Sequence, residues 1–342
     1  MNKNTKTVLI VALSIFGAGV LIWLCVSLSV GFNYSKLSVV TNGSSENTTV
    51  DDSKFKAEHF DKVIAENGQS VTLNLSSADV TVSPSDDGKI HLSYDNTEQS
   101  YFEYREGDNT ISLKQKDKLS SLSQLIVIGS TDKTKITLSL PADRSGVLKI
   151  NGASSEIAIS DIDMKDDMNI YGVSGDLLIK NCSSAELNTG AVSGKITIDA
   201  VETGSIEASS VSGDIRLTAI DTAIPVMLES TSGQVYAEKV KATTLEIGLV
   251  SGRVTLKSVS GEKANLSSTS GSVSLDKADF FELDFSTVSG DISGSVIGKS
   301  DDYAVYTDTV SGHNALSSHR GRGERTLDLS STSGSFDINF AG

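Results

Sequence analysis

The chain has 342 residues, a net charge of −15, 6% aromatic residues, and 29 glycines against 3 prolines. Lys3 and Lys6 are the only charges among the first 30 residues, so the remainder carries −17, which argues against a surface that tracks nucleic acid or another polyanion backbone. Cys25 and Cys182 are the only cysteines and Cys25 lies in an apolar run, so the part beyond it has no internal disulfide and must be held by packing alone.

Residues 1–7 read as a cytoplasmic N-terminus. From Val8 to Val30 no charge occurs, and 23 residues at about 1.5 Å each span a ~30 Å hydrocarbon core. Lys3 and Lys6 stay inside by the positive-inside tendency, which puts everything after the helix outside the cytoplasm. The competing reading is a cleaved signal peptide with Ser27 and Ser29 at the cleavage site, but the apolar run exceeds a signal core. A lipoprotein signal at Cys25 is disfavoured by the bulky Leu24. Residues 31–54 are polar and read as a flexible tether. Residues 55–145 contain strand-like segments (VTLNLSSADVTV, KIHLSYD, YFEYREGDNTISLKQK, LIVIGS, KITLSLPAD) with hairpin-like links. They read as an N-terminal β cap with a degenerate first coil near Ala78.

Residues 146–342 carry a Ser-Gly repeat with glycines at Gly175, Gly194, Gly213, Gly233, Gly252, Gly271, Gly290, Gly312 and Gly334. The steps are 19, 19, 20, 19, 19, 19, 22 and 22, and Ser155 occupies the glycine's place one coil earlier. Apolar residues hold a fixed phase: Leu187, Ile206, Val226 and Leu245 lie seven before the glycine, Val or Thr always lies two before it, and Ile196, Ile215, Val235 and Val254 lie two after. Alternation such as Ile196-x-Ile198 means short strands with one face inward. A 19-residue unit cannot bury that face alone, so the sequence predicts an all-β parallel solenoid of about ten coils stacked in chain order. Right-handed winding is favoured, since the strict hexapeptide period of the left-handed class is missing. The glycine marks a corner where φ is positive or a Cβ is unwelcome. The two 22-residue steps read as insertions emerging as loops.

No HExxH, GxSxG elbow or phosphate-binding loop is present, and no metal or cofactor is called for. Cys182 falls in a column otherwise filled by Val, Ile and Ala and reads as core. The candidate binding loop is HNALSSHRGRGER, with His313, His319, Arg320, Arg322 and Arg325, because guanidinium forks suit the carboxylates and phosphates of wall polymers. Tyr303 and Tyr306 lie just upstream as a sugar-stacking surface.

The repeated V/T-S-G-x-Φ-x-Φ series behind one apolar helix resembles the bacterial "putative adhesin" family of β-strand repeat proteins, over roughly residues 60–342. That family includes members of Lia-type cell-envelope stress systems of Gram-positive bacteria. The resemblance implies an extracytoplasmic β-solenoid and supplies no catalytic residues. The first expectation is a non-enzymatic, membrane-anchored surface protein for adhesion or cell-envelope binding, with a cell-wall polymer, a glycan or an envelope protein as partner. The alternative is a scaffold or sensor accessory in an envelope-stress response. A polysaccharide-active enzyme comes third, on fold analogy alone.

Overall fold

The computed structural model describes residues 52–65, 68–107, 109–118 and 134–342. The expected membrane span at 8–30, most of the tether, and the LIVIGS segment lie outside these residues. Among the described residues no helix is long and apolar enough to cross a membrane.

The molecule is a parallel β-solenoid. One ladder joins Leu148–Gly152, Met168–Gly172, Leu187–Ala191 and Ile206–Ser210 in register. A second joins Ile157–Ser160, Leu177–Lys180, Ile196–Asp199 and the start of Ile215–Lys257. A short third side pairs Ser183–Ser184 with Glu202–Thr203. Later coils run through their corners as continuous strands, Ile215–Lys257 and Ser260–Ser289. Period-2 alternation puts Ile196, Ile198, Ile215, Leu217 and Val235 on the inner face, each no more than 1% exposed. Ile196 lies over Leu177 and under Ile215, so equivalent side chains form continuous internal columns. Each such side chain contributes about 2 kcal/mol by leaving water. The Val/Thr column two residues before each glycine is not part of this core: Val192, Val211, Thr231 and Val250 are only half-buried, on the outer side of the corner.

The repeat glycines are required by close approach. A Cβ at Gly194 would sit 1.8 Å from the carbonyl oxygen of Gly175, and one at Gly213 would sit 1.9 Å from that of Gly194. Of the nine, only Gly175 and Gly252 have positive φ. The left-handed corner lies six residues later, at Asp161, Asn181, Ala200, Ala219, Lys239, Ser258 and Lys277, with φ between 50° and 60°.

Both ends depart from chain order. A Cβ on Gly334 would strike the carbonyl of Gly290, and one on Gly312 would strike that of Gly334. The last strands, Arg325–Ser333 and Phe336–Ala341, therefore pair directly with the coil that ends at Ile297. Tyr303–Thr309 caps them from outside. This corrects the expected chain-order stack and the reading of the 22-residue steps as simple loop insertions. Burial explains the exchange. The inserted rung carries Leu327, Leu329, Phe336 and Ile338, all buried. The outer rung turns Thr307, Asn314 and Leu316 inward and leaves them partly exposed.

The N-terminal end repeats the device. Ser70–Leu75 and Asp79–Ser85 stack on the coil of Leu148–Gly152, with Val80 opposite Ile157. Thr110–Asp117 and Lys135–Pro141, later in sequence, lie outside them. Antiparallel pairings of Lys89–Asn96 and Ser100–Gly107 then finish the stack. Inner corners donate backbone N–H groups to the preceding coil, as Ser174 does to Ala153. Here the amide oxygen of Gln115 accepts from Ser76, Ser77 and Ala78, each at 3.0 Å. Aromatic side chains plug both mouths: Tyr94 stacks with Phe60 and meets Phe102 edge-on, and Tyr303 packs on Phe340.

Candidate functional site

The basic cluster of the sequence is a threading connector. To pass from the outer rung to the inserted one, residues 319–323 run against the backbone of residues 301–305. Gly321 N–H donates to Tyr303 (2.9 Å), and the N–H groups of Arg322 and Gly323 donate to Asp301 (2.8 and 3.1 Å). A Cβ at Gly323 would lie 2.1 Å from the Asp302 carbonyl oxygen, so glycine is needed for this approach.

Tyr303, buried, and Arg325, half-buried, are fasteners. Tyr303 is fully buried and its hydroxyl donates to the Ile297 carbonyl at 2.6 Å. Arg325 donates to that same carbonyl (2.7 Å), to the Tyr303 oxygen (2.8 Å) and to the carboxylate of Asp279. One guanidinium thus ties the inserted rung, the outer rung and the body together. His319 is part of the short antiparallel strand His319–Arg320 against Ala304 and Val305. Its ring contacts the carbonyls of Ser317 and Ser300 at 2.9 and 3.1 Å, and these raise its pKa. The backbone of Arg320 pairs with Ala304. His313, Arg322 and Tyr306 are the exposed members, and Asp301, Asp302 and Glu324 neighbour them in the chain. The structure thus separates the buried Tyr303 and the tied Arg325 from the exposed His313, Arg322 and Tyr306.

Two other clusters went unread in the sequence. His59, on the edge strand Glu58–Ala65, bridges Asp95 (2.6 Å) and Asp61 (2.9 Å), and these carboxylates raise its pKa. His91 binds Asp87 at 2.8 Å and holds that carboxyl down at about 2. Both lie on the N-terminal cap and are exposed. Cys182 is buried, and desolvation raises its pKa, so it is a poor nucleophile at neutral pH. Among the described residues no group of His, Cys, Asp and Glu is placed to hold a metal ion.

The outer faces of the two main ladders differ in charge. The second mixes signs: Arg216 lies over the ring of Tyr236 at 4.3 Å, and Lys257 pairs with Glu238 at 3.1 Å. The first presents Asn169 and Tyr171, Asn188, Glu207, Met227 and Glu229, Glu246, Asn265, Asp284, Asp328, and finally Tyr306 and Asp308. Burial and the nearby carboxylates of Glu207 and Glu246 raise the Glu229 pKa.

A family model described as Toastrack DUF4097 matches residues 68–224 and again 204–341. The chain belongs to this family. Each match in this Toastrack protein takes in one reordered end, and the two meet near the middle of the stack. Three solved structures are similar to it at low identity. One is named a "putative adhesin" from Parabacteroides merdae (13% identity, TM-score 0.40, covering 82% of this chain and 96% of that one). Another of that name is from Bacteroides fragilis (14%, 0.37, 82% and 97%). The third is named a "putative lipid binding protein" from Parabacteroides distasonis (14%, 0.35, 83% and 97%). No curated protein matches the chain.

Proposed function

We propose that this Toastrack protein is a non-enzymatic surface module, anchored by residues 8–30, that binds a polymer of the cell envelope along the side of its solenoid. The observation that supports this most is the rigid, one-sided face of the first ladder. Its outward side chains recur at about 4.8 Å per rung, a spacing suited to a periodic partner. Regular strands hold these groups more firmly than a loop would.

The test is sedimentation of the full-length chain with insoluble envelope polymer, alongside cross-linking in native membranes. Co-sedimentation that survives removal of residues 31–51 supports the proposal. A membrane-protein partner whose capture depends on residues 8–54, with no polymer bound, supports the envelope-stress scaffold and overturns it. Digestion of the solenoid by protease added to intact cells tests its placement outside the membrane.

A further inference from the structure

Most tyrosines among the described residues are already engaged. Tyr236 is covered by Arg216, Tyr104 by Lys62 and Tyr101 by Lys54 and Phe55, while Tyr94 and Tyr303 are buried. Tyr171 and Tyr306 remain, and among the described residues neither ring has an aromatic or cationic partner. Both project from the outer face of the first ladder. Eight rung steps separate them, about 38 Å at 4.8 Å per rung.

The Tyr171 end has a built floor. Its Cδ1–Cε1 edge occupies the space of the missing side chain at Gly190, where a Cβ would lie 3.1 and 3.4 Å from those two atoms. Gly190 points outward yet is buried, because this ring covers it. Beside the ring, Asn188 donates to Asn169 at 3.3 Å, which leaves an amide N–H and carbonyl lone pairs on these side chains for a ligand. Further along, Glu207, Glu229 and Glu246 flank Met227 and have no cationic partner among the described residues. Between Asn169 and Asn265, the outward positions of these strands carry three carboxylates, Glu207, Glu229 and Glu246, and no base. The lysines of this face, Lys114 and Lys149, lie beyond its N-terminal end.

We propose that this face is a glycan platform that takes an extended polysaccharide bearing free amino groups, laid along the solenoid axis. Tyr171 and Tyr306 stack on sugar C–H faces, the asparagine amides bind hydroxyls, and Glu207, Glu229 and Glu246 pair with the amines. The chemistry follows from the parts. Aromatic rings offer apolar area with little rotamer entropy to lose, amides serve as both donor and acceptor, and a face of one sign selects the opposite charge. A polyanionic wall polymer is disfavoured on this side.

The proposal rests on the polymer-binding reading above, and one experiment separates the two. The full-length chain in nanodiscs is titrated calorimetrically with a glucosamine decamer, long enough to reach both tyrosines, and with its N-acetylated counterpart. The amine-bearing decamer should bind at least tenfold more tightly, with affinity falling as salt rises. Tyr171→Ala and Tyr306→Ala should each weaken both ligands at least fivefold. The double variant Glu207→Gln, Glu246→Gln should remove the amine preference and leave binding of the N-acetylated decamer unchanged. Tyr306 and the two glutamates are exposed, so those variants keep the fold even if Tyr171→Ala loosens its coil. Absence of binding to either decamer, or binding that none of these variants alters, overturns the platform. If all four residues are replaced and the chain still sediments with envelope polymer, the platform falls and the surface-module reading stands. If the unaltered chain binds neither oligomer and does not sediment with envelope polymer, both fall.

Discussion

Gly194 and Ala200 lie in the same coil, and exchanging their residue types should have opposite effects. In Gly194→Ala the new methyl would lie 1.8 Å from the Gly175 carbonyl oxygen, where ordinary contact begins at 3.4 Å. Relief requires the rungs to part by about 1.6 Å along the stack. The bonds Val192 N–H to Gly172 (3.2 Å) and Ser193 N–H to Val173 (2.9 Å) would then stretch past hydrogen-bonding distance. Two lost bonds at about 1 kcal/mol each, with overpacking of about 1–3 kcal/mol, give a destabilisation of about 3–5 kcal/mol. Ala200, by contrast, has φ of 52°. Its replacement by glycine relieves a left-handed penalty of about 1–2 kcal/mol and adds back about 0.5–1 kcal/mol of chain entropy. The net effect lies between neutral and about 1.5 kcal/mol stabilising. Urea unfolding followed by circular dichroism measures both variants against the parent. A Gly194→Ala variant within 0.5 kcal/mol of the parent would refute the close-approach account, and a strongly destabilised Ala200→Gly would refute the placement of the left-handed corner.

Cysteines at Ser286 and Ser330, on paired rungs, should form a disulfide readily, while Ser286→Cys with Asp308→Cys should not; gel shift under oxidation reports this, and the reverse result would restore chain-order stacking. Gln115→Leu strands three backbone N–H groups and should cost about 3 kcal/mol or more, read as an earlier urea midpoint; a neutral variant would show that water replaces the amide. His59 has a raised pKa, so its carboxylate pairing stabilises the cap below about pH 6.5 and is lost as pH rises through the folded value; NMR titration of its ring should give a higher pKa than in Asp95→Asn. Cys182 should resist thiol reagents until the stack unfolds, and rapid labelling of the native chain would contradict its burial.

The coil interior was legible because a 19-residue period repeats its inward residues without interruption. Ile196, Ile215 and Val235 could be aligned by eye and stack as that alignment implies. Other features left no such trace. The left-handed corner is filled by Asp161, Asn181, Ala200 and Lys239, with no common residue type to mark it. The Val/Thr column looked like core because composition alone does not distinguish an inward side chain from one half-covered on the outside of a corner. The arginines drew attention through their charge, yet Arg325 acts as a half-buried fastener and Arg322 belongs to a glycine-dependent crossing.

Rung order at the ends was unreadable for a more general reason. A repeat signature states that each coil fits any other, so it cannot say which copy becomes the neighbour. That choice falls to the features in which the copies differ. The segment that can bury apolar side chains against two neighbours takes the inner place, as Leu327, Leu329, Phe336 and Ile338 do. The one carrying Thr307, Asn314 and an exposed Tyr306 goes outside, where Ser318 closes its edge through the backbone of Thr307. An exposed strand edge invites pairing with other chains, and both ends answer it by placing a less regular segment last. On this argument, exchanging the inward residues of the two C-terminal segments should return the stack to chain order, with Gly312 directly over Gly290.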